Sequence, residues 1–126
     1  MVVEKLVIML LNADPDRPAT LGAPFFQAAV GAAMDLDVEV HFAGPTIQLL
    51  RPGMAERLYP GSDHSKTVYG FMQDAHQAGA RFFGCSQAMM SFGLDPADTI
   101  PEFDGAQGGA AFLSAAGDAD TLTLTY

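Results

Sequence analysis

Lys5-Leu-Val-Ile-Met-Leu-Leu11 contains no polar residue after its opening lysine. A strand with one wet face alternates apolar and polar residues; an unbroken apolar run of this length suits a strand buried on both faces, as in parallel sheets. Working outward, Asn12 to Thr20 carries two prolines and two aspartates and reads as a loop. Pro24 suits the first turn of a helix, where its missing N–H costs nothing. Phe25, Phe26, Ala29, Val30, Ala33 and Met34 then recur at helical spacing and predict one apolar face, ended by Asp35-Leu-Asp37. Val38-Glu-Val-His-Phe42 alternates and is β-branched, giving a second strand, which Gly44-Pro45 breaks.

Thr46 to Ser65 is the least regular stretch. A helical turn is expected around Ile47 to Leu50, and Pro52-Gly53 and Pro60-Gly61 mark turns. This segment, with Tyr59 as an exposed aromatic, is expected to serve as a flap or a subunit contact. Lys66 to Ala78 places Val68, Phe71, Met72 and Ala75 on one side of a helix that Gly79 caps. Ala80-Arg-Phe-Phe-Gly84 reads as the next strand and Ser86 to Phe92 as a short helix ended by Gly93. A further helix is expected from about Gly105 to Ala116, and Thr121-Leu-Thr-Leu-Thr125 alternates strictly as a closing strand. The order is β-α-β-(irregular)-α-β-α-α-β. Right-handed crossovers turn that order into an α/β three-layer sandwich, a mostly parallel sheet with helices on both faces. No linker or repeat divides residues 1–126, so a single domain is expected.

Composition narrows the function. The apolar share of 49% and charged share of 17% belong to a folded chain, not a disordered one. No apolar run approaches the roughly 20 residues that cross a bilayer. Met1 to Lys5 contains Glu4 and leads into a short strand with no cleavage-type sequence behind it, and one cysteine permits no intrachain disulfide. A reducing, cytoplasmic location is therefore expected. The formal charge is −9, and no Lys or Arg follows Arg81 while Asp95, Asp98, Glu102, Asp104, Asp118 and Asp120 do. Such a surface repels phosphate backbones and anionic lipid, so neither nucleic acid nor membrane is expected as a partner. It favours a basic protein partner; the blander reading is that the acidic residues only keep the chain in solution.

In open α/β sheets, chemistry gathers beyond the carboxyl ends of the strands. That rule selects Asn12, Gly44 and Cys85. The helix beginning at Ser86 is expected to aim free N–H groups and its positive end at the Cys85 sulfur, and thiolate is the reactive form. The plain alternative for Cys85 is a small buried hydrophobe. Asn12 offers a further donor or merely forms a turn. Met89 and Met90 read as packing residues, although methionine also suits an adaptable binding surface, and Met89 stands among the binding candidates. His41, His64 and His76 are scattered without zinc-site spacing, so no metal is expected; His64, beside Asp63, is a loop histidine or an acid–base group that reaches the cleft. Gly105 and Gly108-Gly109 lack a dinucleotide fingerprint and read as close-packing glycines. No organic cofactor is implied.

Gly79-Ala-Arg-Phe-Phe-Gly-Cys-Ser-Gln-Ala-Met-Met-Ser-Phe-Gly-Leu94 resembles the DsrE/DsrF-like family. Its members share a glycine, an aromatic strand, a cysteine, a methionine in the following helix and a Gly-Ile or Gly-Leu ending it; Cys85, Met89 and Gly93-Leu94 take those places here. Ser86, Gln87 and Ala88 before Met89 depart from the usual glutamine and serine-methionine pair. The resemblance implies a flavodoxin-like fold with about five strands, a homo-oligomer (trimer or hexamer), and a cysteine that accepts and donates persulfide sulfur. It also implies small TusA-like sulfur carriers as partners. The resulting expectation is a sulfur-relay protein, a sulfurtransferase in chemical terms, working through Cys85. The alternative is a non-catalytic assembly or adaptor subunit with an inert cysteine. A peroxidatic site fits poorly, since Phe82 and Phe83 occupy the positions where Thr or Ser is needed and no second cysteine resolves a sulfenic acid. A flavin- or phosphate-binding reading fails because Asn12 to Thr20 has no glycine- or hydroxyl-rich cradle.

Overall fold

The protein's computed structural model describes residues 2–126. Five strands form one sheet in which every pairing is parallel: β1 (Lys5–Leu10), β2 (Asp37–Phe42), β3 (Arg81–Cys85), β4 (Phe103–Gln107) and β5 (Thr121–Thr125), ordered β4-β3-β2-β1-β5. The helices are α1 (Gly22–Ala33), α2 (Val68–Ala78), α3 (Ser86–Ser91) and α4 (Gly109–Ala116). Single 3-10 stretches at Pro18–Leu21, Gly44–Leu50 and Ala55–Arg57 organise the loops. No helix among the described residues is long and apolar enough to cross a membrane.

The pattern of β1 follows from its place between two strands. Leu6, Ile8 and Leu10 pair with Val38, Val40 and Phe42 of β2, and Leu6 and Ile8 also face Leu122 and Leu124 of β5. Because successive side chains of a strand point to opposite faces, this set lies on the side covered by α1 and α2. There Phe25 of α1 meets Phe42 at 5.8 Å and Phe82 at 5.9 Å, and Phe42 meets Phe82 at 5.3 Å between ring centroids. Each such aromatic pair adds about 0.5–1.5 kcal/mol to the gain from burial. The opposite face carries Val7, Glu39, His41 and Phe83, and α4 covers part of it through Phe112, 5.2 Å from the His41 ring. Helices thus lie on both faces. The alternation of β2 looks half-wet in sequence, yet Glu39 and His41 are buried too.

Three stretches depart from expectation. The helix expected from Gly105 is the strand β4, followed by α4 only from Gly109. Phe-Asp-Gly-Ala-Gln carries little strand propensity, but it lies on the sheet edge and needs only the backbone of β3; Gly105 takes φ +139°, a conformation reserved for glycine. Nor do Gly105, Gly108 and Gly109 pack closely: a Cβ on any of them would meet nothing within 4 Å. Close approach occurs instead at Gly84, where a Cβ would sit 3.0 Å from Met89 Sδ, 3.1 Å from Ile47 Cδ1 and 3.2 Å from Leu50 Cδ1.

The second departure concerns α1, which is apolar nearly all round. It buries Phe25, Ala28 and Ala32, leaving Phe26, Val30 and Met34 as an exposed stripe. The third concerns Tyr59, which is half-buried and stacks on His64 at 4.5 Å. α2 behaves as expected: Val68, Met72 and Ala75 are buried and Gly79 follows with φ +123°. Its N-cap is Thr67, whose Oγ1 accepts from the Gly70 N–H at 3.0 Å.

Candidate functional site

β3 ends at Cys85 and α3 begins at the next residue, so the thiol stands where a strand's carboxyl end opens into a turn. Cys85 is half-buried. Strand alternation puts its side chain on the same face as Phe83, whereas Gly84 faces the core that Met89 fills. On that face Cys85 lines a cavity together with Gly109 and Phe112 of α4. Cys85 is the N-cap residue of α3, and its side chain makes no capping hydrogen bond.

The thiol opens onto a cavity of about 60 Å³, lined also by Met9, His41, Ala43, Gly108 and Phe112. This holds a few atoms of water size, well below the ~300–1,000 Å³ of organic-ligand pockets. β2 brings His41 to it because β2 and β3 are neighbours in parallel register, His41 opposite Phe83. The start of α4 forms another wall, and glycine at 108 and 109 keeps that wall free of side chains.

Of the other residues singled out in the sequence, Ser86 is half-buried beside the thiol and outside the cavity lining. Met89 is 2% exposed in the core on the other side of the sheet, so it supports the position of Gly84 and does not reach the cavity. Gly44 (φ +54°) turns the chain after β2, while its neighbour Ala43 lines the cavity. Asn12 is exposed; its N–H donates to the Tyr126 carbonyl at 2.8 Å, and it borders a separate groove with Arg17 and Thr20. His64 stacks on Tyr59 and is not part of the cavity. Among the described residues, no three His, Cys, Asp or Glu side chains are grouped as a metal ion would require.

His41 is the residue that the sequence reading passed over. It is 5% exposed, and its Nε2 lies 3.0 Å from Oε1 of Glu39, which is 6% exposed. The same carboxylate accepts from Lys5 Nζ at 2.9 Å and Arg81 Nη2 at 3.2 Å. Lys5 also pairs with Asp118, and Arg81 with Asp37. The hydrogen bond to Glu39 raises the Lys5 pKa. Burial lowers that of His41 against the pull of Glu39, with Lys5 and Arg81 adding to the lowering. One signal was available in the sequence: Glu39 and His41 stand two apart in a strand and so share a face.

The solved structures show the same fold. The ychN protein from E. coli superposes with a TM-score of 0.75 over 97% of this chain and 99% of its own at 13% identity. A protein of unknown function from Methanobacterium thermoautotrophicum, MTH1491, gives 0.67 over 97% and 98% at 16% identity. No curated protein matches. The DsrE/DsrF-like family model matches residues 4–123, nearly the whole sheet and every helix. This chain belongs to the DsrE/DsrF-like family.

Proposed function

We propose that this protein is a sulfur-relay protein that accepts and donates persulfide sulfur on Cys85 in an intracellular, cytoplasmic pathway. The observation carrying this reading is the position of the thiol: at the carboxyl end of β3, half-buried, and opening onto a cavity of about 60 Å³. A cavity of that size suits a cargo of a single sulfur atom. Family membership supports the same chemistry.

In the proposed reaction the Cys85 thiolate attacks the outer sulfur of a donor persulfide. The new S–S bond forms on Cys85, the donor's S–S bond breaks, and the electron pair leaves with the donor thiolate. A second carrier thiolate, of the small TusA-like kind, then takes the sulfane sulfur by the same exchange. No metal or organic cofactor enters either step. Ser86 flanks the reacting sulfur; Asn12, Gly44 and Met89 hold the neighbouring turns and core. A homo-oligomer, trimer or hexamer, is part of the proposal, supported by the exposed apolar stripe Phe26, Val30 and Met34 beside Leu122.

Incubation with a persulfide donor is expected to add one sulfur mass to the intact protein, and Cys85→Ser is expected to abolish the gain. Absence of any increment from low-molecular and protein persulfides alike, with slow native-state labelling of Cys85, would instead identify a non-catalytic assembly subunit.

A further inference from the structure

His41 presents a buried imidazole whose two nitrogens have different surroundings. Nε2 is paired with Glu39, and Nδ1 has no hydrogen-bond partner among the described residues. Among the described residues no sealed side-chain nitrogen or oxygen lacks a partner, so Nδ1 is not closed off, and His41 lines the Cys85 cavity. The identity of the Nε2 proton follows from charge. Two cations converge on the Glu39 carboxylate, Lys5 at 2.9 Å and Arg81 at 3.2 Å. A carboxylate only accepts, so Nε2 must carry the proton, and in the neutral ring Nδ1 then carries the lone pair.

We propose that His41 is the proton acceptor for the Cys85 thiol across their shared cavity, with Glu39 the positioning residue that fixes the ring and its tautomer. The proposal rests on the sulfur-relay reading for its reaction, but the proton coupling is measurable without it. His41 and Cys85 make no direct hydrogen bond, and the cavity between them has room for one bridging water. In the forward step Nδ1 takes the thiol proton and leaves a thiolate. The thiolate attacks the outer sulfur of a persulfide R–S–SH; the Cys85 S–S bond forms and the donor's S–S bond breaks. The departing RS⁻ recovers the proton from His41, so a thiol and a persulfide exchange one neutral sulfur atom with no net oxidation.

The charged groups around the ring all belong to one arrangement. Glu39 comes from its own strand, Lys5 from β1 and Arg81 from β3, while α4 contributes the uncharged Phe112. Burial and the two cations favour the neutral ring, and Glu39 opposes them by stabilising the protonated ring that accepting a proton would form.

The test is the rate of Cys85 alkylation by iodoacetamide in the native protein as a function of pH. The wild type is expected to show two inflections. His41→Gln should lose the lower one, react on the order of tenfold or more slowly near neutrality, and converge with the wild type where the thiol ionises unaided. Superposed profiles would overturn the proposal. Should His41→Gln fail to fold, the wild type and Cys85→Ser are compared by NMR titration of the His41 ring. Coupling requires the midpoint to move on loss of the thiol, and an unchanged midpoint rejects it. Persulfide loading is read separately. Equal loading rates for wild type and His41→Gln overturn this inference alone; a pH-coupled thiol that never takes up sulfur removes the relay and leaves the coupling.

Discussion

Glu39 Oε1 and His41 Nε2 lie 3.0 Å apart on one face of β2, both side chains buried, in a strand whose next apolar residues face the other way. The pair is stable because Lys5 and Arg81 complete the carboxylate's hydrogen bonds from the strands on either side. A buried charge with its partners removed is costly, so this network ties the strand order β3-β2-β1 to one register.

A pH dependence of stability follows from that burial. The folded-state pKa of His41 is lowered from 6.5, so on acidification the unfolded chain binds the proton first. Stability from this group is fully present above the unfolded value and is lost as pH falls through and below it. Urea midpoints measured from about pH 7.5 down to about pH 5 should fall more steeply for the wild type than for His41→Gln. Parallel slopes would refute the assignment.

The order of most elements was legible because β1 and α2 carry unambiguous periods. An unbroken run between loops can only be a strand dry on both faces, and Val68, Met72 and Ala75 mark one helix face. β4 was not legible: an edge strand takes its stability from a neighbour's backbone, which leaves no apolar trace in Phe-Asp-Gly-Ala-Gln. α1 misled for the opposite reason, since a helix apolar on several sides does not say which side is inward. At the candidate site, the strand-end rule selected Cys85, which the structure has as the last residue of β3. The face its side chain shares depends on strand parity, and there it lines one cavity with His41 and Phe112.

Gly84→Ala tests how closely that turn is fixed. The added methyl would lie 3.0 Å from Met89 Sδ and within 3.2 Å of Ile47 and Leu50, so the chain must shift next to Cys85. A destabilisation of about 1–3 kcal/mol is expected from overpacking. Met89→Ala in the same chain should recover part of it, because the methyl then has space. Additive losses in denaturant titrations would show that the contact does not set the turn.

The apolar stripe on α1 bears on assembly. Phe26, Val30 and Met34 are exposed, Met34 by 67%, and Val30 and Met34 with Leu122 border a groove of about 260 Å³ that no charged residue lines. If this face joins subunits, Met34→Glu places a charge in the joint. Light scattering should then report a smaller particle with unchanged circular dichroism. A particle of unchanged mass would move the interface elsewhere.

Phe112 lines the cavity onto which Cys85 opens. It lies on α4, whose residues are mostly exposed, and its half-buried ring closes the Cys85 cavity against His41. Because the helix rests on so little buried surface, Phe112→Ala should cost less than the roughly 3–5 kcal/mol typical of a core phenylalanine. Its effect on reactivity should depend on reagent size. A bulky aromatic disulfide, which the intact cavity excludes, is expected to gain several-fold in rate with Cys85, while iodoacetamide changes little. Measured together, the ratio of the two rates removes any general change in thiol ionisation. An equal gain for both reagents would mean that the whole helix has lifted, and no gain for either would mean that the thiol is reached by another route.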